Sequence, residues 1–479
     1  MNLNTKPLSD DELLSIHETS MHILGKVGVH IEGKEILEIF KKSGAKVDFN
    51  EERVFLPLPL MDDILSNCSP HLTLYDTLGE KSIVFGEDQS HFGTHGFPSL
   101  YRDRVTGEIR NGRYSELIDF LKVADVLEYP QIVAPSLQPT DVDSEIADLL
   151  QAKAALTITK KPLYLQAFSG QSVHDIVKML TAVVGGEETL RQNPHSIFCV
   201  CTHSPLTIRQ DAAEVLVESA KLGAPVYITS GAMGGATSPV TLSGELAQVN
   251  AEILSHVALS KIINPDAPVV YASSCRMFDM KFGVCASSTP EYALFRASTS
   301  QLGKYYNLPT GGGGLNTDSS TIDAQYGWEK FMTTLIPAMA GQNIILGMGI
   351  FSQMNAISIE SLVVDHDIVK SVNRILDGVR VDQDRLAFEV IKNNAKTSEF
   401  MSDSHTMKYF REETWIPNGK ITDRSDSNQW KMTGSKTTLD RAQSMIDECL
   451  NEYKGRRISE VTRQILDGII EDRLKSCDS

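Results

Sequence analysis

The chain has 479 residues, with 45 Lys plus Arg against 62 Asp plus Glu and a formal charge of −17. So acidic a surface repels phosphate backbones and anionic lipid, which excludes nucleic acid and membrane surfaces as partners. Seven cysteines without a Cys-x-x-Cys pair argue against a disulfide framework and for a reducing, cytoplasmic setting, and no run of about 18 apolar residues offers a membrane span.

In chain order, residues 1–90 read as an α/β cap: a helix from about Ser9 to Val27, a second helix, and short strands ending at Val84-Phe85. From residue 91 a short apolar, β-rich run recurs eight times, each followed by a stretch with helical periodicity. The runs are 91–94, 131–134, 163–166, 197–200, 226–229, 269–272, 307–310 and 344–347, and their helices begin near Tyr114, Ser144, Ser172, Ile208, Ser243, Thr289, Ile322 and Ser358. Capping hydroxyls ahead of Pro or acidic residues, as in Ser243-Gly244-Glu245 and Ser288-Thr289-Pro290-Glu291, fix several of these starts. Eight βα units in a row predict an α/β fold, a (β/α)8 TIM barrel over residues 91–380. Residues 381–479 read as a charged, helical C-terminal extension interrupted at 415–419.

Ligands bind such a barrel at the C-terminal ends of its strands. The residues expected there are His95 and Tyr101, Gln138, Gln166 and Phe168, His203, Ser230 and Met233, Arg276 and Phe278, Asp318 and Gln325, and Phe351 and Gln353. Rings and amides outnumber acids, which suits a ligand with a positive, apolar head, since ring faces hold a quaternary ammonium. Arg276 suits a carboxylate at the other end of that ligand, and equally an ion pair with Asp279. The run Gly311-Gly312-Gly313-Gly314 ahead of a helix reads as a strand-to-helix loop at the mouth. Cys199, Cys201 and His203 alternate on one strand and raise a zinc reading, but successive same-face positions lie roughly 6.5 to 7 Å apart, too far for three to close easily on one ion.

Several motifs carry a resemblance: Leu308-Pro309-Thr310 through Gly314, Asp318, 323–330, 340–343, 230–239 and 405–411. Together they resemble the trimethylamine methyltransferase family over nearly the whole chain. The resemblance implies a (β/α)8 barrel that passes a methyl group to the cobalt(I) of a separate corrinoid protein docked over its mouth. Archaeal members carry pyrrolysine in the loop matching Asp318 to Thr321. This chain has ordinary serines there, which aligns it with members lacking pyrrolysine, among them demethylases of glycine betaine, proline betaine and carnitine.

A quaternary ammonium already has a neutral amine as its leaving group, so such a site needs no catalytic acid, only desolvation and positioning. The expectation is therefore a quaternary-amine (glycine betaine first) methyltransferase with a cognate corrinoid protein as partner and no cofactor or metal held by the chain itself. Tyr101, Phe168, Phe278 and Phe351 would face the ammonium, Arg276 and His95 the carboxylate, and Gln325, Asp318 and Gly311 to Gly314 would line the mouth. A homo-oligomer is expected, with helical ends such as 439–453 available to pair subunits. Zinc-dependent thiol or alcohol methyl transfer and a non-enzymatic betaine-binding subunit stand as alternatives.

Overall fold

Parallel strands cannot be joined by tight turns, and the βα alternation duly appears as helical crossovers between parallel strands. The structure, a computed structural model, describes residues 5–86, 88–417, 420–456 and 458–477. Seven strands form one parallel sheet: β1 (His91–Thr94), β2 (Leu163–Leu165), β3 (Ser196–Cys201), β4 (Val226–Ser230), β5 (Val269–Ser273), β6 (Thr310–Gly313) and β7 (Ile344–Met348). Their spatial order is β1-β7-β6-β5-β4-β3-β2. The outer helices are α1 (Tyr114–Val126), α2 (Ala147–Ile158), α3 (Gly170–Val184), α4 (Gln210–Leu222), α5 (Leu242–Ile263), α6 (Pro290–Tyr305), α7 (Ala324–Met339) and α8 (Ile359–Leu376).

The run 131–134, expected as a regular strand, is not one. It meets the two edge strands only through the bridges Gly93 to Ile132 and Val133 to Leu163. Pro130 and Pro135 bracket it, and neither has an N–H for a ladder. The Thr94 side chain supplies part of what is missing: its Oγ1 accepts from Ala134 N at 2.7 Å and donates to Ala134 O at 3.0 Å. A second correction concerns β6, which lies three residues later than the run 307–310. Asn307 is left-handed at φ 57° and closes the turn after α6, so the ladder starts at Thr310. Helix α5 begins at Leu242, which puts Ser243 and Glu245 inside its first turn rather than before it.

The N-terminal segment is anchored to this sheet at two places. The hairpin Leu72–Tyr75 and Ser82–Phe85 sends Leu72, Leu74 and Phe85 into the same buried cluster as Tyr164, Ile197, Tyr227, Val270 and Ile344. Helix Asp10–His22, closed by a capping box between Ser9 and Glu12, packs on α5. There Ser20 Oγ donates to Ala247 O at 2.9 Å, and Asn250 Nδ2 donates to Ser20 Oγ at 2.9 Å and to the Tyr306 hydroxyl at 2.7 Å.

The C-terminal residues strap the outer helices. Helix Thr438–Glu452 buries Ala442, Met445, Ile446 and Cys449 against its own chain. Helix Glu460–Cys477 is tied to α3 by the ion pair of Arg473 with Asp175 and to α2 by Lys153 with Asp467. In the interruption expected at 415–419, positions 418 and 419 lie outside the described residues. Among the described residues no helix is long and apolar enough to cross a membrane.

One ion pair, Lys330 with Asp365 at 2.7 Å, is buried at 0 % exposure on both sides. Asp365 also accepts from the Tyr326 hydroxyl at 2.8 Å and from Gly349 N at 2.8 Å, joining α7, α8 and the end of β7. Burial pushes the lysine down and the carboxyl up, and each partner opposes the other's shift. Lys330→Met strands a buried carboxylate and is expected to cost about 3–5 kcal/mol in chemical denaturation. The double variant Lys330→Met/Asp365→Leu removes both charges and should recover most of that loss; equal losses would show that charge pairing is not what the site needs.

Candidate active site

The site is shaped by a strand with no side chains. None of Gly311, Gly312, Gly313 or Gly314 has a positive φ, so these glycines are not there for turn geometry. They are there for room. A Cβ at Gly311 would lie 2.3 Å from Cε2 of Tyr227, one at Gly313 2.1 Å from the Tyr292 hydroxyl, and one at Gly312 2.9 Å from Cδ of Arg296. The expectation of a mouth loop at Gly311 to Gly314 is therefore corrected: Gly311 to Gly313 form β6, Gly314 follows it, and all four are buried.

The space left by β6 is filled from elsewhere by aromatic rings. Tyr164 on β2 and Tyr227 on β4 meet edge to face at 5.2 Å, Phe97 stacks on Tyr164 at 6.2 Å, and His95 sits edge-on to Tyr164 at 5.4 Å. Above Tyr164 on β3 lie Cys199 and Cys201, with sulfurs 3.8 Å apart. Cys201 is exposed even though protein surrounds it, as befits a side chain lining a well. A cavity of about 390 Å³ opens beside them, lined by Gln166, Phe168, Cys199, Cys201 and His203 among others.

Arg276 stands on the hairpin that follows β5, formed by Arg276–Asp279 and Val284–Ala286. Its Nη1 donates to Ser287 Oγ at 3.5 Å and approaches Met354 Sδ at 3.2 Å, while its Nε is buried with no partner. Asp279, the alternative partner, instead accepts from the backbone N–H of Lys281 and Phe282 and closes the hairpin turn. Asp318 reaches the same place: its Oδ1 accepts from Ser287 N at 3.1 Å, and burial raises its carboxyl pKa. His95 is buried and its Nδ1 unpartnered; burial, then the positive charges of Arg276 and Arg296, hold it down to about 4, so the ring is neutral near pH 7.

Other expected residues lie elsewhere. Tyr101 and Phe351 are 4 % and 2 % exposed in a separate four-stranded sheet, with Arg110 over the Tyr101 ring at 5.7 Å. The chain beyond β1 and β7 folds into that sheet, where Ile357 pairs with Tyr101, and so both rings enter the outer core rather than the cluster of Tyr164 and Tyr227. Phe278 is half-buried on the Arg276 hairpin opposite Cys285, and Phe168 is 38 % exposed at the rim. Gln325 donates to Glu329 Oε1 at 2.9 Å, and Glu329 Oε2 accepts from Thr317 Oγ1 at 2.7 Å and Asp318 N at 2.9 Å. Gln325 thus braces the loop that carries Asp318. Among the described residues no group of three His, Cys, Asp or Glu is arranged to hold a metal, and His203 is engaged through its backbone in a turn with Thr207.

The sequence reading missed Tyr164, Tyr227, Tyr292, Arg296 and Glu245. Their signal was present in β5 and β6, where Ala272, Gly311 and Gly313 leave a wall without bulk that large rings from other strands must fill. Arg296 is fully buried, with its Cζ 4.3 Å from the Tyr292 ring centre and its Nη2 donating to Cys275 O. Glu245 is also fully buried, and the donors nearest its carboxyl, the Gly234 and Arg276 amides and the Ser238 hydroxyl, stand outside good hydrogen-bond geometry. Burial raises its pKa to about 8, with Arg296 and the Gly234 and Arg276 amides opposing.

Similarity to known proteins follows the same boundaries. The family model described as trimethylamine methyltransferase matches residues 2–477. The chain belongs to the trimethylamine methyltransferase family. It is 31 % identical over 464 residues to trimethylamine methyltransferase MttB of Desulfitobacterium hafniense, covering 97 % of this chain and 93 % of that one. It is 29 % identical over 450 residues to the glycine betaine methyltransferase of the same species, covering 93 % and 92 %. Among solved structures, the Methanosarcina barkeri monomethylamine methyltransferase superposes with a TM-score of 0.50 at 12 % identity, over 94 % of this chain and 96 % of that one, a likeness of fold. Within the family's fold, the empty strand and the rings it admits are the features that shape this member's well.

Two outcomes test this geometry. Gly313→Ala should destabilise the protein by about 1–3 kcal/mol, and Tyr292→Phe should rescue it, because the nearest obstructing atom is the hydroxyl. Gly311→Ala should not be rescued by Tyr227→Phe, because a ring carbon obstructs there. Glu245 binds its proton more tightly when folded, so its contribution is complete below the unfolded value near 4.5 and is lost as pH rises through about 8. Glu245→Gln should flatten the fall in denaturation midpoint between pH 5 and 9; an unchanged slope would show that Glu245 is already ionised in the native protein.

Proposed function

We propose that the chain is a quaternary-amine methyltransferase that transfers a methyl group from glycine betaine, or next from proline betaine or carnitine, to the cobalt(I) of a separate corrinoid protein. The observation that carries this reading is the approach of opposite chemistries at the end of the sheet: the half-buried Phe97 ring, backed by the buried Tyr164 and Tyr227, and Arg276, whose Nε has no partner and whose charge acts on His95 beside Tyr164. Each desolvated ring contact with an ammonium is worth roughly 2 kcal/mol. A planar guanidinium holds a carboxylate by two parallel hydrogen bonds. Trimethylamine offers neither a permanent charge nor a carboxylate, whereas a betaine engages both halves.

In the proposed reaction the substrate nitrogen keeps the electron pair of the breaking N–CH3 bond and leaves as a neutral tertiary amine. The new bond forms between that methyl carbon and the cobalt of the partner, whose electron pair attacks in line. Because no proton needs to be supplied, the residues act by holding: the rings desolvate the cation, Arg276 fixes the carboxylate, and one methyl group points out of the mouth. Neutral His95 adds no further positive charge beside the ammonium. In this reading the sheet is closed by 131–134 as the eighth stave of a (β/α)8 barrel spanning 91–380, between an N-terminal cap and a C-terminal extension.

The relatives named above include enzymes for both trimethylamine and glycine betaine, so the assay must separate them. Purified protein, a reduced corrinoid protein and a panel of glycine betaine, proline betaine, carnitine and trimethylamine should yield methyl-cobalt from a betaine. Arg276→Gln should raise KM for the betaine by about 10- to 100-fold, the worth of a lost charged hydrogen bond, with a smaller change in kcat. Methyl-cobalt from trimethylamine alone would overturn the reading.

A further inference from the structure

The segment 379–416, between α8 and the C-terminal helices, is built inside out. Its interior is polar. Arg385 donates from Nη1 to Asp382 at 2.6 Å, from Nη2 to Glu412 at 2.9 Å and from Nε to Glu413 at 2.8 Å. The Asp384 carboxylate accepts from the Tyr409 hydroxyl and from Lys408, and Asn394 Nδ2 donates to Asp403 at 2.8 Å. Of the whole segment only Asn394 and Tyr409 are buried. Its large apolar side chains face outward. Phe388 and Ile391 share one face of helix Phe388–Asn394 and are 71 % and 52 % exposed, while Met407 and Phe410 share one face of helix Ser404–Glu413 at 79 % and 52 %. Met401, between the two helices, is 89 % exposed.

We propose that this arm is a self-association surface, which packs on the same arm of a second copy of the chain about a two-fold axis. Ordering a segment costs about 1–2 kcal/mol per residue in backbone entropy, and an exposed ion pair returns at most about 1 kcal/mol. An arm without an apolar core therefore keeps one shape only when its apolar face is covered, and contiguous exposed apolar surface marks an interface. Charge selects the occupant. In a two-fold pair each patch meets its own image, so any net charge is opposed by the same charge. The chain carries −17, yet residues 379–416 hold six Lys plus Arg against seven Asp plus Glu. The arm is nearly neutral where the rest of the molecule repels its copy.

Position separates this surface from the one a methyl acceptor would use. Helix α8 starts just past the end of β7 and runs back for 18 residues, about 27 Å. Near its far end Lys370 pairs with Glu128 at 3.5 Å, just ahead of the run 131–134 and so at the N-terminal edge of the sheet. The arm leaves from this end and returns to it, where Arg374 Nη2 donates to Glu413 O at 2.7 Å. Both ends of the arm thus lie opposite the mouth of the well. A protein that must reach the mouth does not cover them, and two chains joined here leave both mouths open. The pairing stands whether or not the substrate reading does.

The test uses the purified full-length protein, its mass measured by light scattering during gel filtration. A two-fold interface makes that mass an even multiple of the chain's own. Phe388→Asp/Phe410→Asp sets carboxylates against their own images and should halve the mass, weakening association by about 100-fold or more, as the loss of two apolar anchors does. Circular dichroism should show that this variant is folded. In the unaltered protein, the backbone amides of residues 386–413 should exchange with deuterium slowly at concentrations that hold the multimer and rapidly on dilution to half its mass. The mass of a single chain, a mass that the folded variant leaves unchanged, or rapid exchange of the arm within the multimer would each overturn the proposal. So would protection of the arm that arises only when a corrinoid protein is added.

Discussion

The site depends on a steric exchange: one strand gives up its side chains so that rings and a guanidinium from other elements can occupy its place. At Gly311 and Gly313 the nearest atoms to an added carbon belong to Tyr227 and Tyr292, at separations no Cβ tolerates. Close packing makes such a strand a fixed volume rather than a flexible one. The rings of Tyr164, Tyr227 and Phe97 then stand against one another at 5.2 and 6.2 Å, and Cys199 and Cys201 remain accessible beside them. A glycine run usually suggests mobility; here it sets the position of the aromatic wall.

The mouth is held by loops that brace one another. Ser352, Gln353 and Met354 are left-handed in succession, at φ 51°, 57° and 67°. Such conformations cost roughly 1–2 kcal/mol each for residues with a side chain. The turn is held by Ser352 N donating to Ser319 O and Gln353 N to Thr317 O, both at 3.0 Å. It brings the Met354 sulfur to Arg276 Nη1 and to Asn316 Nδ2, at 3.2 and 3.6 Å. Asn316 Nδ2 in turn donates to the Tyr292 hydroxyl at 2.6 Å. The loops after β6 and β7 are thereby coupled to the hairpin after β5, and the arginine is oriented from two sides.

Much of this was legible in the sequence because helix starts and strand runs are local signals. Thr289 accepts from Tyr292 N at the start of α6, and Ser358 from Ser361 N at the start of α8, as their spacing predicts. Long-range choices were not legible. The slip at β6 arose because Leu308 and Pro309 look like a strand while the glycines look like a loop, and only the partners Tyr227 and Tyr292 reveal the difference. Their distance from β1 and β7 in sequence puts Tyr101 and Phe351 at the mouth, but pairing of Ile357 with Tyr101 carries them into another sheet. The sequence leaves Arg276 open between Asp279 and a ligand, because only the folded hairpin shows the Asp279 carboxylate closing its own turn.

The proposed binding mode has a direction, cation toward the rings and carboxylate toward the arginine. A crystal structure of the protein with glycine betaine measures that direction most directly. The trimethylammonium group is expected against Phe97 at the aromatic wall, with both carboxylate oxygens at the Arg276 guanidinium. Density with the carboxylate facing the tyrosines, or with the ligand bound only outside the sheet interior, would contradict it.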